Sequence, residues 1–155
     1  MKKIAVVYYS LTGRTRHIAQ AIAQRTSSDL IELKMKKPYS KAGSYVRGVA
    51  DIRRGASPEL ASTPDLSGYD TVFIGTPVWY YTYVPVFNTL ADANDLNGKE
   101  VYLFSTHQGG NGSTFEKLKE KLGIKKIASR QDFFDVDVKE CKQSGVKGWL
   151  ERMGI

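Results

Sequence analysis

The stretch Tyr8-Tyr9-Ser10-Leu11-Thr12-Gly13-Arg14-Thr15-Arg16 joins an apolar run to a segment of helical spacing. Its residue types suit one kind of chemistry, the holding of an anion. A helix N-terminus offers backbone N–H groups without intrahelical acceptors, together with a partial positive charge. Ser10, Thr12 and Thr15 add hydroxyl donors, and Gly13 lets the backbone approach a bound group closely. Arg14 and Arg16 stand in or beside the first turn, where a cation is unfavourable unless an anion reverses the local sign. Simple capping by Ser10 or Thr12 is the plainer reading, and it accounts for one hydroxyl rather than three. The loop lacks the Lys-Ser/Thr ending of a nucleoside-triphosphate site and the glycine spacing of a dinucleotide site. A monophosphate fits it better.

Two later stretches offer complementary chemistry. In Pro77-Val78-Trp79-Tyr80-Tyr81-Thr82-Tyr83-Val84-Pro85 a pair of prolines brackets a cluster of aromatic rings. Such rings present stacking faces to a flat heterocycle, and Trp79 or Tyr80 is the expected platform. In Thr106-His107-Gln108-Gly109-Gly110-Asn111-Gly112-Ser113 the glycines leave backbone N–H and C=O groups open to a ligand edge. A flexible turn would use the same glycines, so this stretch decides nothing by itself. His107 stands there as a hydrogen-bond partner, a proton donor or a plain polar residue.

These three stretches need elements that bring them together. Runs rich in β-branched and aromatic residues at 3–9, 30–33, 71–75, 100–105 and 133–138 read as strands. Between them lie apolar stripes of helical period: Ile18, Ala19, Ile22 and Ala23; Val86, Phe87 and Leu90; Phe115, Leu118 and Leu122; Val146, Trp149, Leu150 and Met153. Residues 39–54 make the weakest helix, with Gly43 and Gly48 and few apolar anchors, and 54–68 reads as a loop. Strands alternating with helices imply an α/β domain with a parallel sheet covered on both faces. Ligands of such sheets bind beyond the carboxyl ends of the strands, and all three chemical stretches follow strands.

The bulk composition is consistent with this. The 155 residues suit a single domain over 1–155 with a sizeable core. No apolar run approaches membrane-span length, and the N-terminal apolar stretch is too short for a signal peptide, so a cytoplasmic protein is expected. Cys141 has no cysteine to pair with and no ligating neighbours, so an idle thiol and no metal site are expected. The formal charge is +7, and the segment 34–54 carries most of it, with Lys34, Lys36, Lys37, Lys41, Arg47, Arg53 and Arg54 against Asp51 alone. That segment could steer an anionic partner or form a solvated face. Nucleic-acid binding through it would explain the charge and leave all three loops unexplained.

A phosphate cradle, an aromatic platform and a glycine-lined edge describe a site for a flat ring with a phosphate tail. The three stretches resemble the phosphate loop and the two ring-binding loops of the short-chain flavodoxin family, over nearly the whole chain. The resemblance implies a flavodoxin-like α/β/α sandwich with a five-stranded parallel sheet in the order 2-1-3-4-5, and non-covalent FMN. It implies that Ser10, Thr12, Gly13, Arg14 and Thr15 hold the phosphate. Pro77, Val78, Trp79 and Tyr80 would then line one side of the ring, and Thr106, His107, Gly109, Gly110 and Asn111 the other.

The chain departs from the family in two ways. Flavodoxins are typically acidic, with carboxylates near the flavin, whereas residues 76–90 contain no acid. Relatives often carry a small residue after the ring-side aromatic, where a peptide flip stabilises the half-reduced flavin; here Tyr80 follows Trp79. A less negative final potential and a poorly stabilised half-reduced state are therefore expected. Because the flavin does the redox chemistry, no catalytic nucleophile or base is nominated. The expected role is electron transfer from a reductase to a redox partner, by a monomer or a homodimer. The alternative is a small NAD(P)H-dependent reductase of quinones or similar acceptors.

Overall fold

Residues 1–136 and 144–155 are described by a computed structural model. Cys141, and the last two positions of the strand expected at 133–138, lie outside the described residues. Five strands, β1 (Ile4–Tyr8), β2 (Asp29–Glu32), β3 (Thr71–Pro77), β4 (Glu100–His107) and β5 (Ser129–Phe134), alternate with five helices. These are α1 (Arg14–Thr26), α2 (Gly43–Arg53), α3 (Val86–Ala93), α4 (Thr114–Leu122) and α5 (Ser144–Arg152). The sheet is parallel throughout, in the order β2-β1-β3-β4-β5. This is the flavodoxin-like α/β fold that the alternation and the resemblance imply.

The sequence pattern explains the layers. β1, β3 and β4 lie inside the sheet with helices on both faces, so their residues are buried almost without a break. Val7, Ile74 and Leu103 face one core with Phe87, Leu90, Phe115 and Leu118. Val6, Phe73 and Phe104 face the other with Ile18, Ile22, Trp149 and Leu150. The apolar helical stripes read from the sequence are therefore the buried faces of α1, α3, α4 and α5. Among the described residues no helix is long and apolar enough to cross a membrane.

β5 corrects the expected strand at 133–138. It begins at Ser129, paired with Tyr102, and ends at Phe134, paired with His107. As an edge strand it has one neighbour and leaves alternate side chains exposed, so its Ser-Arg-Gln-Asp opening carries none of the apolar signal of the inner strands.

α2 is held by a buried polar knot rather than by apolar anchors. Asp51, 3% exposed, accepts hydrogen bonds from the Tyr39 hydroxyl at 2.6 Å and from Arg54 at 2.7 and 3.2 Å. Burial raises the carboxyl's pKa, but the bonds from Tyr39 and Arg54 and the charges of Arg54 and Arg47 outweigh it, leaving the pKa below the usual value. A depressed folded-state pKa adds stability above the unfolded value, and that stability is lost as pH falls through the folded value. Asp51→Asn is thus expected to destabilise the protein by about 1–3 kcal/mol at neutral pH. The gap to the parent should narrow as the pH is lowered below about 4. Urea denaturation of both proteins from pH 7 to pH 3 measures it.

Candidate functional site

All three chemical stretches converge at the carboxyl edge of the sheet, around a cleft of about 620 Å³. That volume lies in the range of small-molecule sites. β1 ends at Tyr8, and the chain turns into α1 through Gly13, whose φ of 95° is left-handed and suits glycine. The Gly13 N–H donates to the Ser10 Oγ at 3.0 Å. Ser10 thus shapes the turn, and helix α1 has no side-chain cap. The simple capping alternative therefore fails. The first-turn N–H groups are available to a ligand, and Thr12, Arg14 and Thr15 line the cleft beside them.

The two first-turn arginines have different fates. Arg14 lines the cleft, its Nε donating to the Val136 carbonyl at 3.3 Å. Arg16 turns away and pairs with Glu32 of β2, which raises the guanidinium pKa further. Thr15 is buried, and its hydroxyl meets that of Thr106 on β4 at 2.8 Å. Each hydroxyl can give one proton and accept two, so the pair retains capacity for a ligand oxygen.

The aromatic stretch forms a tight turn. The Trp79 N–H donates to the Thr82 carbonyl at 2.9 Å, and the Thr82 N–H to the Trp79 carbonyl at 3.0 Å. Tyr80 and Tyr81 occupy the two central positions with φ of 51° and 61°. Positive φ at both is the requirement of a type I′ turn, normally met by Asn-Gly or Asp-Gly. For two tyrosines it is strained backbone, of the kind that concentrates at binding sites. The turn is held from outside. The Ser113 N–H donates to the Tyr81 carbonyl at 3.1 Å, and Gly112 lies so close that an added Cβ would be 2.4 Å from the Tyr81 Cβ.

Trp79 is fixed from behind and open toward the cleft. Tyr9 and Tyr39 meet its ring edge-on at 6.0 and 5.2 Å, and a Cβ on Gly48 of α2 would lie 3.3 Å from it. Burial pushes the Tyr9 phenol up to about 12, so this support stays uncharged. Pro77, Val78, Tyr80 and Tyr81 complete this wall.

On the opposite wall stand Thr106, His107, Gln108, Gly109 and Gly110. The His107 Nδ1 accepts the Gly110 N–H at 3.0 Å, and Nε2 meets the Asp132 carboxylate at 2.7 Å. This pairing selects the tautomer with its proton on Nε2, donated to Asp132. His107 thereby braces the glycine loop against β5. Asn111 does not line the cleft; its side-chain oxygen meets the Ser105 hydroxyl and its carbonyl accepts the Thr114 hydroxyl at 2.6 Å. Ser10, Gly13 and Asn111 therefore shape the walls, while the other predicted residues form them.

Among the described residues, three lining residues come from outside the predicted loops: Lys41, just before α2, and Ser44 and Tyr45 in its first turn. Lys41 belongs to the basic segment, which was the available signal; nothing in sequence marked Tyr45. Among the described residues no aspartate or glutamate lines the cleft, and the charged side chains that do, Arg14 and Lys41, are cationic. Among the described residues there is no cluster of acids, histidines or cysteines able to hold a metal ion.

Known proteins share this fold. A flavoprotein from Lactobacillus acidophilus, solved in complex with FMN, is 25% identical, with a TM-score of 0.76 over 97% of this chain and 99% of its own. A Bacteroides eggerthii protein of known structure superposes at a TM-score of 0.81, covering 100% of this chain and 99% of its own, at 23% identity. In sequence, a flavodoxin from Maridesulfovibrio salexigens is 28% identical over 79% of this chain and 80% of its own. An Acidovorax ebreus NAD(P)H dehydrogenase (quinone) is 25% identical over 74% of this chain, which spans 62% of that protein's length. The profile of the flavodoxin family matches residues 3–153, from before β1 to the end of α5 and with all three cleft loops inside it: the chain belongs to the flavodoxin family.

Proposed function

We propose that the cleft binds FMN and that the protein is an electron-transfer flavoprotein, receiving electrons from a reductase and passing them to a redox partner. One observation carries this reading. An uncapped helix N-terminus with Thr12, Arg14 and Thr15 lies at one end of a cleft whose other end runs between Trp79 and the 107–110 loop. That donor set fits a phosphate joined to a flat ring, and the Lactobacillus acidophilus relative supports FMN as the group. Bound FMN supplies the redox chemistry. The chain's own residues hold the phosphate, orient the ring, exclude water with the aromatic turn and set a cationic field.

That field and the turn bear on the potentials. With no carboxylate among the described residues lining the cleft, the electrostatic penalty on a negatively charged, fully reduced ring is small. The Trp79 carbonyl is engaged by the Thr82 N–H, and reorienting the 79–80 peptide would break that bond. The two one-electron potentials of the bound flavin are therefore expected to lie close together. Photoreduction followed by absorbance should pass from oxidised to fully reduced flavin with little persistent intermediate spectrum. A large, stable intermediate would refute this.

A second reading, a small NAD(P)H-dependent reductase of quinones, is favoured by Lys41 and Tyr45 at the cleft mouth and by the names of several relatives. Anaerobic mixing of FMN-loaded protein with NADPH and then NADH separates the two. Slow or absent bleaching, made fast by an added reductase, supports the carrier; rapid unaided bleaching supports the reductase.

A further inference from the structure

We infer that the α2 side of the cleft mouth is the docking surface for a redox partner whose own contact face is acidic. The inference rests on the electron-carrier reading and adds the chemistry of the partner. Large apolar side chains exposed to solvent gather here: Tyr45 is 72% exposed, Val46 79%, Tyr80 48% and Tyr81 66%. Tyr45, Tyr80 and Tyr81 line the cleft itself, and the Tyr80 hydroxyl donates to the Tyr45 carbonyl at 3.3 Å, joining turn and helix into one surface. Apolar surface grouped at the opening of a ligand cleft marks a contact site. Aromatic residues are the type enriched in protein–protein contacts.

The charges around this patch select the occupant. In the segment 34–54, Asp51 is buried and shared by Arg47 and Arg54, so it offers little to solvent. Lys34 and Lys36 reach Glu32 and Glu59. Lys37, Lys41 and Arg53 have no acidic partner among the described residues. Across the cleft, Phe134 is also exposed but stands beside Asp132 and Asp135, so among the described residues the unbalanced positive charge belongs to the α2 side. A second copy placed symmetrically on the patch would bring Lys41 toward its own counterpart. A partner ringed with carboxylates would instead be steered by the charge and seated on the tyrosines.

Two haem proteins of opposite charge test this on the FMN-loaded protein: soluble cytochrome b5, which is acidic, and cytochrome c, which is basic. Titration calorimetry should give binding of cytochrome b5 at least about tenfold tighter than of cytochrome c at low ionic strength. The preference should collapse as salt rises above roughly 0.2 M. Val46→Glu, on a side chain outside the cleft lining, should weaken cytochrome b5 binding about tenfold while FMN affinity is unchanged; Lys41→Glu should weaken it further. Equal or tighter binding of cytochrome c, no effect of Val46→Glu, or a stable dimer in sedimentation equilibrium that Val46→Glu dissociates would each overturn the inference. A separate FMN titration keeps the two readings apart. FMN bound without the cytochrome preference removes the docking surface alone, whereas failure of FMN to bind removes the carrier reading.

Discussion

Arg14→Glu is expected to weaken FMN binding by roughly a hundredfold, with little change in thermal stability. A hydrogen bond between charged partners contributes about 1.5–3 kcal/mol, and each 1.4 kcal/mol is a factor of ten in affinity. The substitution also places a carboxylate at the start of α1, beside the proposed phosphate. For the empty protein the same carboxylate is favourable, because α1 has no acid in its first turn to complement the helix dipole. Affinity and stability should thus move apart, or even in opposite directions. A general disturbance of the fold would lower both. Flavin fluorescence titration and calorimetric melting of the empty protein are the paired measurements.

The second large effect is expected at Gly112. With φ of 56° and the Tyr81 carbonyl oxygen and Cα at 2.7 and 2.8 Å from a would-be Cβ, Gly112→Ala meets both backbone strain and a clash. These two main-chain atoms and the Tyr81 Cβ at 2.4 Å are all fixed by the backbone, so no rotamer change can relieve the clash. Left-handed backbone costs an alanine roughly 1–2 kcal/mol and overpacking roughly 1–3 kcal/mol. A loss of about 3 kcal/mol in stability is therefore expected, read from urea denaturation. The Tyr80-Tyr81 turn would shift away from the 107–113 loop and change the absorption spectrum of bound flavin. Gly109→Ala makes a useful contrast, because its Cβ would meet nothing within 4 Å and its φ is not in the left-handed region. It should leave stability nearly unchanged.

These two sites also show what could be read from sequence. The loop before α1 was legible as a cleft wall because hydroxyls, a glycine and a cation at a strand-to-helix junction suit a ligand site. Arg16 was not, because its partner Glu32 lies on a neighbouring strand. The tight turn at Tyr80 and Tyr81 was hidden, since nothing local favours positive φ for tyrosine and the restraint comes from Gly112 and Ser113. The glycines that weakened the α2 pattern have tertiary explanations. Gly48 makes room for Trp79, and the Gly43 N–H donates to the Ser40 Oγ at 2.7 Å. The opening of β5, Ser129 to Asp132, escaped because an exposed edge strand need not be apolar. The inner strands were legible because burial on both faces permits little else.

The central claim is that the N-terminus of α1 holds the phosphate of a flavin whose ring lies between Trp79 and the 107–110 loop. Titrating the cofactor-free protein with FMN and with riboflavin, which share the ring and differ in the phosphate, tests it most directly. The account predicts tight binding of FMN and at least about hundredfold weaker binding of riboflavin. Equal affinities, or no binding of FMN, would contradict it.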